Sequence, residues 1–184
     1  YPDRYQRWFI TRCFEAANTF QLQGSRFKAQ GMANQEHTQS VHQQTCTLPL
    51  EPCTLQEAQQ VNETAAHRII GLTIETRPDY ITPDEIQRLR ELGVTRVELG
   101  VQTLNDRILT LIVRDHGTAE IREATRLLRD AAFKVAYHLM PALPGATPAD
   151  DLATFQTLFD DPAYRPDALK IYPCVVIETA ELYQ

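Results

Sequence analysis

Four apolar runs in this sequence each end on side chains that can hold a charge or pass a proton. Arg68-Ile-Ile-Gly-Leu-Thr-Ile-Glu75 leads into Thr76-Arg77-Pro78-Asp79. Thr95-Arg-Val-Glu-Leu-Gly-Val-Gln102 carries Glu98 and Gln102, four apart and so expected on one strand face. Phe133-Lys-Val-Ala-Tyr-His-Leu-Met140 carries His138 and runs into Pro141-Ala-Leu-Pro144-Gly145, and Ala168-Leu-Lys-Ile-Tyr172 carries Lys170 and Tyr172 on a shared face. One such residue alone reads as a satisfied core polar group or a turn brace, and a single histidine is more often structural than functional. Four in register read as the mouth of a binding site. The alternative chemistry of these types is a Schiff base at Lys170, which needs a dry pocket around the amine.

The elements that hold these residues alternate. Thr54-Leu-Gln-Glu57 is a capping box and predicts a helix to about Ala66. Thr82-Pro83-Asp84-Glu85 is a second box with proline at the first helical position, and Gly93 is placed to end that helix. Helices are expected near 105–113 and 119–131, with Thr118 as cap of the latter, and from Thr147-Pro148 to Phe159. Strand, helix, strand, helix with short turns predicts a parallel sheet whose strands are buried on both faces. In such folds ligands sit at the carboxyl ends of the strands, where all four polar groups fall. A full eight-fold barrel takes about 250 residues. The fold class is therefore α/β, a partial parallel (β/α) barrel incomplete on its N-terminal side.

Residues 3–18 have amphipathic helical spacing, with Tyr5, Trp8, Phe9 and Cys13 on one stripe and Arg4, Arg7 and Arg12 between them. Residues 19–53 turn polar and glutamine-rich, the composition of a surface excursion. The division expected is 1–18 as an N-terminal helix, 19–53 as an insertion, and 54–184 as the barrel core. The 184 residues, 43% hydrophobic and 23% charged, suit one ordinary domain, and the net charge of −6 argues against a general nucleic-acid-binding surface. No run of about 18 apolar residues spans a membrane, and no leader peptide is visible. Cys13, Cys46, Cys53 and Cys174 lack the spacing of a metal or redox motif, so no metal ligand is assigned and a reducing, cytoplasmic setting is expected. The chain opens on Tyr1, not Met, which reads as a piece of something longer.

Gly71-Leu-Thr-Ile-Glu-Thr-Arg-Pro-Asp79, Val97-Glu-Leu-Gly-Val-Gln102, Tyr137-His-Leu-Met-Pro-Ala-Leu-Pro-Gly145 and Leu169-Lys-Ile-Tyr-Pro173 together resemble the catalytic subunit of Elongator. That is a family of radical S-adenosylmethionine (SAM) enzymes acting on the wobble uridine of tRNA. The resemblance implies a radical SAM barrel with SAM, a 4Fe-4S cluster whose ligands lie outside this chain, and acetyl-CoA as co-substrate. It implies that a carbon unit from the acetyl methyl group reaches carbon 5 of the uracil. tRNA, acetyl-CoA and Elongator-type subunits are the partners it implies, with no membrane. By the same resemblance Glu75, Glu98, Gln102, Arg114, His138, Pro144 and Gly145 are cofactor-binding positions, Arg114 for the SAM carboxylate, while Lys170 and Tyr172 are catalytic. Arg77 belongs to the same strand-end motif. The family's cluster cysteines and acetyltransferase domain have no counterpart here, so the fragment by itself is expected to be inactive. Two usual glycines are Ala132 and Ala142, the first at a helix end calling for positive φ. The competing readings are another radical SAM oxidoreductase, similar to oxygen-independent coproporphyrinogen oxidase, and a degenerate domain that binds tRNA or a partner without chemistry.

Overall fold

The computed structural model describes residues 2–29 and 53–175, the backbone alone over 21–29. Two compact units divide the chain after Ile70.

The first unit is helical. Helix α1 (Asp3–Ala29) continues well past Asn18, where the composition changes. Polar Gln and Ser residues do not oppose a helix that is already nucleated, which is why the compositional boundary fails as a structural one. Cys46 and most of the glutamine-rich stretch lie outside the described residues. Helix α2 (Leu55–Asn62) starts at the Thr54 box, with Glu57 closing back on the Thr54 amide, and ends earlier than Ala66. Asn18 ties the pair together by donating to the Ala58 carbonyl and accepting from Asn62.

The second unit holds the sheet. Its elements run β1 (Thr73–Thr76), a 3-10 turn (Pro78–Tyr80), α3 (Pro83–Glu91), β2 (Arg96–Gln102), α4 (Asp106–Leu111), α5 (Thr118–Asp130), β3 (Lys134–Leu139), α6 (Pro148–Asp160) and β4 (Ala168–Ile171). All four strands are parallel and neighbours in chain order. The first strand is shorter than its apolar run: residues 68–72 carry no strand pairing, and Leu72 instead meets the Thr95 side chain. At α5 the N-cap is Gly117, one residue before the expected Thr118. Glu120 accepts from the Gly117 amide, and Asp106 accepts both the Thr118 amide and hydroxyl.

Register sorts the side chains onto two faces. Glu75 pairs with Glu98, Glu98 with Ala136, and His138 with Lys170, so these four polar residues share one face. Val97, Leu99, Val135, Tyr137 and Leu139 take the other face and are almost fully buried, beside Leu89 of α3 and Ile121 and Leu128 of α5. Each fully buried leucine or valine of this kind contributes about 1.5–3 kcal/mol, so the helix-covered face holds the sheet together. The other face carries the polar residues.

Candidate functional site

The polar face carries a row of hydrogen-bonded and ion-paired side chains that crosses all four strands. Glu98 on β2 is buried, and its Oε2 accepts from Lys170 Nζ on β4 at 2.5 Å and meets His138 Nε2 on β3 at 2.7 Å. The other ring nitrogen, Nδ1, lies 3.2 Å from Oε1 of Glu75 on β1. Tyr172 stands edge-on to the His138 ring at 5.6 Å between centroids. The Lys170 hydrogen bond above all, with that of His138, lowers the Glu98 pKa against the opposing cost of burial. The same contact raises the pKa of Lys170. Glu98 is thus a buried carboxylate and Lys170 its ammonium partner. Glu75, Glu98 and His138 place donor atoms within 4.8 Å of one another. The two carboxylates meet opposite ring nitrogens, though, and the Lys170 ammonium already supplies the cation, so the arrangement is that of an ion-paired row.

Beside it, at the carboxyl ends of β1 and β2, opens a cleft of about 360 Å³ lined by Glu75, Thr76, Arg77, Tyr80, Gly100, Gln102 and Arg114. That volume lies at the small end of ligand sites. Gln102 reaches the cleft by a route the strand alternation does not give. The β2–β3 register shifts between Leu99 and Gln102, and Gln102 has φ 68°, so it does not simply repeat the orientation of Glu98. Glu98 lines the row and not the cleft. Arg114 is half-buried, and its guanidinium has no carboxylate partner among the described residues. Arg77, in contrast, is fully engaged. It grips Asp79 through Nε at 3.1 Å and Nη2 at 2.6 Å, reaches Asp115 with Nη1 at 2.8 Å, and lies over the Tyr80 ring. Behind Asp79 sits His116, its side chain fully buried, with Nδ1 3.7 Å from Asp79 Oδ1. Neither ring nitrogen makes a well-formed hydrogen bond. Burial lowers its pKa against the pull of the Val101 main chain and Asp79, so it packs as a neutral ring.

Pro144 and Gly145 lie in the turn after β3 and line neither the row nor the cleft. The turn is fastened from outside: Arg107 donates to the Gly145 carbonyl at 3.0 Å, and Asp151 accepts from the Ala142 amide at 2.9 Å. Gly145 has φ 74°, which favours glycine, and a Cβ there would push aside the end of the exposed Leu111 side chain.

The radical SAM superfamily pattern matches residues 45–158. The chain belongs to the radical SAM superfamily. It is 42% identical over 180 residues to proteins of Methanocaldococcus jannaschii and Methanocaldococcus infernus named tRNA uridine(34) acetyltransferase, covering 98% of this chain and 28% of each relative. A protein of the same name from Dehalococcoides mccartyi is 52% identical over 131 residues, and Elongator complex protein 3 of Schizosaccharomyces pombe is 37% identical over 130. The chain therefore spans about a quarter of the length of these relatives. Among solved structures, an N-terminally deleted Elp3 from Methanocaldococcus infernus superposes with a TM-score of 0.78 over 100% of this chain and 36% of that one. Coproporphyrinogen III oxidase of Escherichia coli, 21% identical with a TM-score of 0.54 over 67% of this chain, shares the fold.

The radical SAM core has donors that suit SAM. SAM presents a carboxylate, an amine, a sulfonium and an adenosine. The cleft offers at Arg114 a guanidinium with no carboxylate partner among the described residues, a carboxylate at Glu75 and an amide at Gln102, a set that matches a zwitterion with one extra positive charge. The described cysteines do not suit a cluster. No metal-ligand grouping of cysteines occurs among the described residues, and Cys53 donates to Glu15, with burial pushing its pKa up to about 11. Sequence reasoning passed over Thr76, Tyr80 and Gly100 as lining residues, and Asp115 and His116 as their supports. The Asp-His-Gly that follows Arg114 was the available signal.

Proposed function

We propose that this chain is the SAM-binding core of an enzyme that carboxymethylates carbon 5 of the wobble uridine of tRNA, with acetyl-CoA as carbon donor. The observation that carries it is the cleft at the ends of β1 and β2, where Arg114, Gln102 and Glu75 meet in a chain 42% identical to proteins named tRNA uridine(34) acetyltransferase.

SAM with a reduced 4Fe-4S cluster supplies one-electron hydrogen-abstraction chemistry, which this chain's residues support by binding and orientation. Arg114 receives the SAM carboxylate as a guanidinium fork. Gln102 hydrogen-bonds the polar end of the methionyl group, and Glu75 faces its positive charges. The Pro144–Gly145 turn, held by Arg107 and Asp151 outside the cleft, is the segment that the family resemblance assigns to the adenine side. Glu98 keeps Lys170 protonated and aimed along the polar face, with Tyr172 beside it, where acetyl-CoA or the uridine is handled. His138 between Glu75 and Glu98 fixes both carboxylates.

SAM binding to the 184-residue chain by calorimetry tests the reading. We expect Gln102→Ala to weaken binding about tenfold and Arg114→Ala about 10- to 100-fold, the range for hydrogen bonds to a charged group. Unchanged affinity in both would remove the cleft from the SAM site.

A further inference from the structure

We propose that Arg77 is a positioning residue for Arg114: it ties the loop after β1 to the loop after α4 and so holds the Arg114 guanidinium in the cleft to receive an anionic group. The inference rests on the reading above for the identity of that group, the carboxylate of SAM.

Arg77 is badly placed to bind a ligand itself. Three of its nitrogens already donate to carboxylates, two to Asp79 and one to Asp115, and the Tyr80 ring covers one face at 4.8 Å. Two carboxylates more than neutralise its charge. Arg114 is the reverse case, a half-buried cation lining the same cleft with no carboxylate partner among the described residues. The two arginines are linked by one covalent step, because Asp115 follows Arg114 in the chain. Asp115 is 70% exposed, and Arg77 is its side-chain partner. Surface ion pairs of this exposure add little to stability. Its consequence is therefore expected in where the neighbouring residue stands.

The rest of the loop is restrained from both sides. Val113, immediately before Arg114, has φ 56°, a region that β-branched residues rarely enter. It is held there because its own amide donates to Thr110 and the Arg114 amide donates to Leu109. On the far side, His116 is buried behind Asp79, the same carboxylate that Arg77 grips. The ends of the loop are thus pinned by packing and main-chain bonds, and its middle by Arg77. Without the clamp, the ends hold but Asp115 and the Arg114 side chain are free to swing toward solvent.

The test uses the 184-residue chain with two probes, SAM and 5′-methylthioadenosine, which keeps the adenosine and sulfur but has no carboxylate. We expect Arg77→Gln and the milder Asp115→Asn to weaken SAM binding roughly three- to tenfold through lost preorganisation, with binding of 5′-methylthioadenosine unchanged. In the Arg114→Ala background neither change should weaken SAM further, and Arg77→Lys should restore part of the loss. Amide hydrogen exchange over residues 113–117 should rise in Arg77→Gln and Asp115→Asn. Additive losses with Arg114→Ala, or equal losses for both probes, would overturn the positioning role. Unchanged exchange would overturn the clamp itself. Absence of SAM binding by the wild-type chain would instead overturn the reading of the cleft, while the exchange result still decides whether Arg77 pins the loop.

Discussion

Glu98 is the residue on which the polar row turns, and both of its partners favour its charged form. A carboxylate buried to 6% exposure is unfavourable without compensation, and here Lys170 and His138 both converge on one oxygen. Its lowered pKa means that folding is stabilised at pH above the ordinary carboxylate value of about 4.3, and that this stabilisation is lost as pH falls through the folded-state value. The raised pKa of Lys170 acts on the other limb. Its contribution is complete below the ordinary lysine value and is lost as pH rises through the folded one. Glu98→Gln should therefore cost about 1–3 kcal/mol near pH 7, with the difference from wild type shrinking below about pH 4. Urea denaturation at several pH values checks this, and a gap that stays constant into acid would mean that charge is not what Glu98 supplies. The row's membership was legible in the sequence, since strand alternation alone places Glu75, Glu98, His138 and Lys170 together. The cleft was less so. Gln102 enters it through a register shift and a positive φ, and Asp115 and His116 come from a loop that periodicity does not describe.

At the scale of elements, three helices end in the same motif with three different residues at the left-handed position. After α3, Gly93 donates to Arg90 and Val94 to Leu89, after α4 Val113 donates to Thr110 and Arg114 to Leu109, and after α5 Ala132 donates to Arg129 and Phe133 to Leu128. These are paired Schellman bonds, and the residue in the αL position is glycine, valine and alanine in turn, with φ 81°, 56° and 58°. A side chain at αL costs about 1–2 kcal/mol, so the series has a built-in prediction. Ala132→Gly should raise stability by about 1 kcal/mol, and Gly93→Ala should lower it by a similar amount, both read from denaturation midpoints. If Ala132→Gly is neutral, the unfolded-chain entropy of glycine has offset the relieved strain. Capping boxes and prolines at the first helical position marked the starts of α2, α3 and α6, because those signals are local. The end of α1 and the short extent of β1 were not legible, since the first depends on helix propagation and the second on whether a neighbouring strand exists to pair with.

For the molecule as a whole, charge and composition were plain in the sequence, and they set what this chain can do with RNA. The acidic excess behind the net charge of −6 falls entirely in the sheet-bearing unit after Ile70, the unit that also holds the cleft. The polar face adds two carboxylates, one of them exposed, where the proposed reading brings the uridine. On that reading phosphates are repelled at this face, and attraction has to come from basic surface elsewhere. Helix α1 carries Arg4, Arg7 and Arg12, but Arg7 pairs with Asp3 and Arg12 with Glu15, which leaves little unopposed charge for a phosphate backbone. The 184-residue chain should then bind tRNA no more tightly than about 1 µM at physiological salt, within the non-specific range, and with a shallow dependence of affinity on salt. Fluorescence anisotropy with labelled tRNA over a salt series measures both. The expected result places the tRNA grip in the parts of the relatives that this chain does not span, more than two thirds of their length, and leaves to this chain the positioning of SAM. Tight binding with a steep salt slope would reverse that division, and loss of the slope in an Arg4→Ala, Arg7→Ala and Arg12→Ala triple variant would then assign the grip to α1.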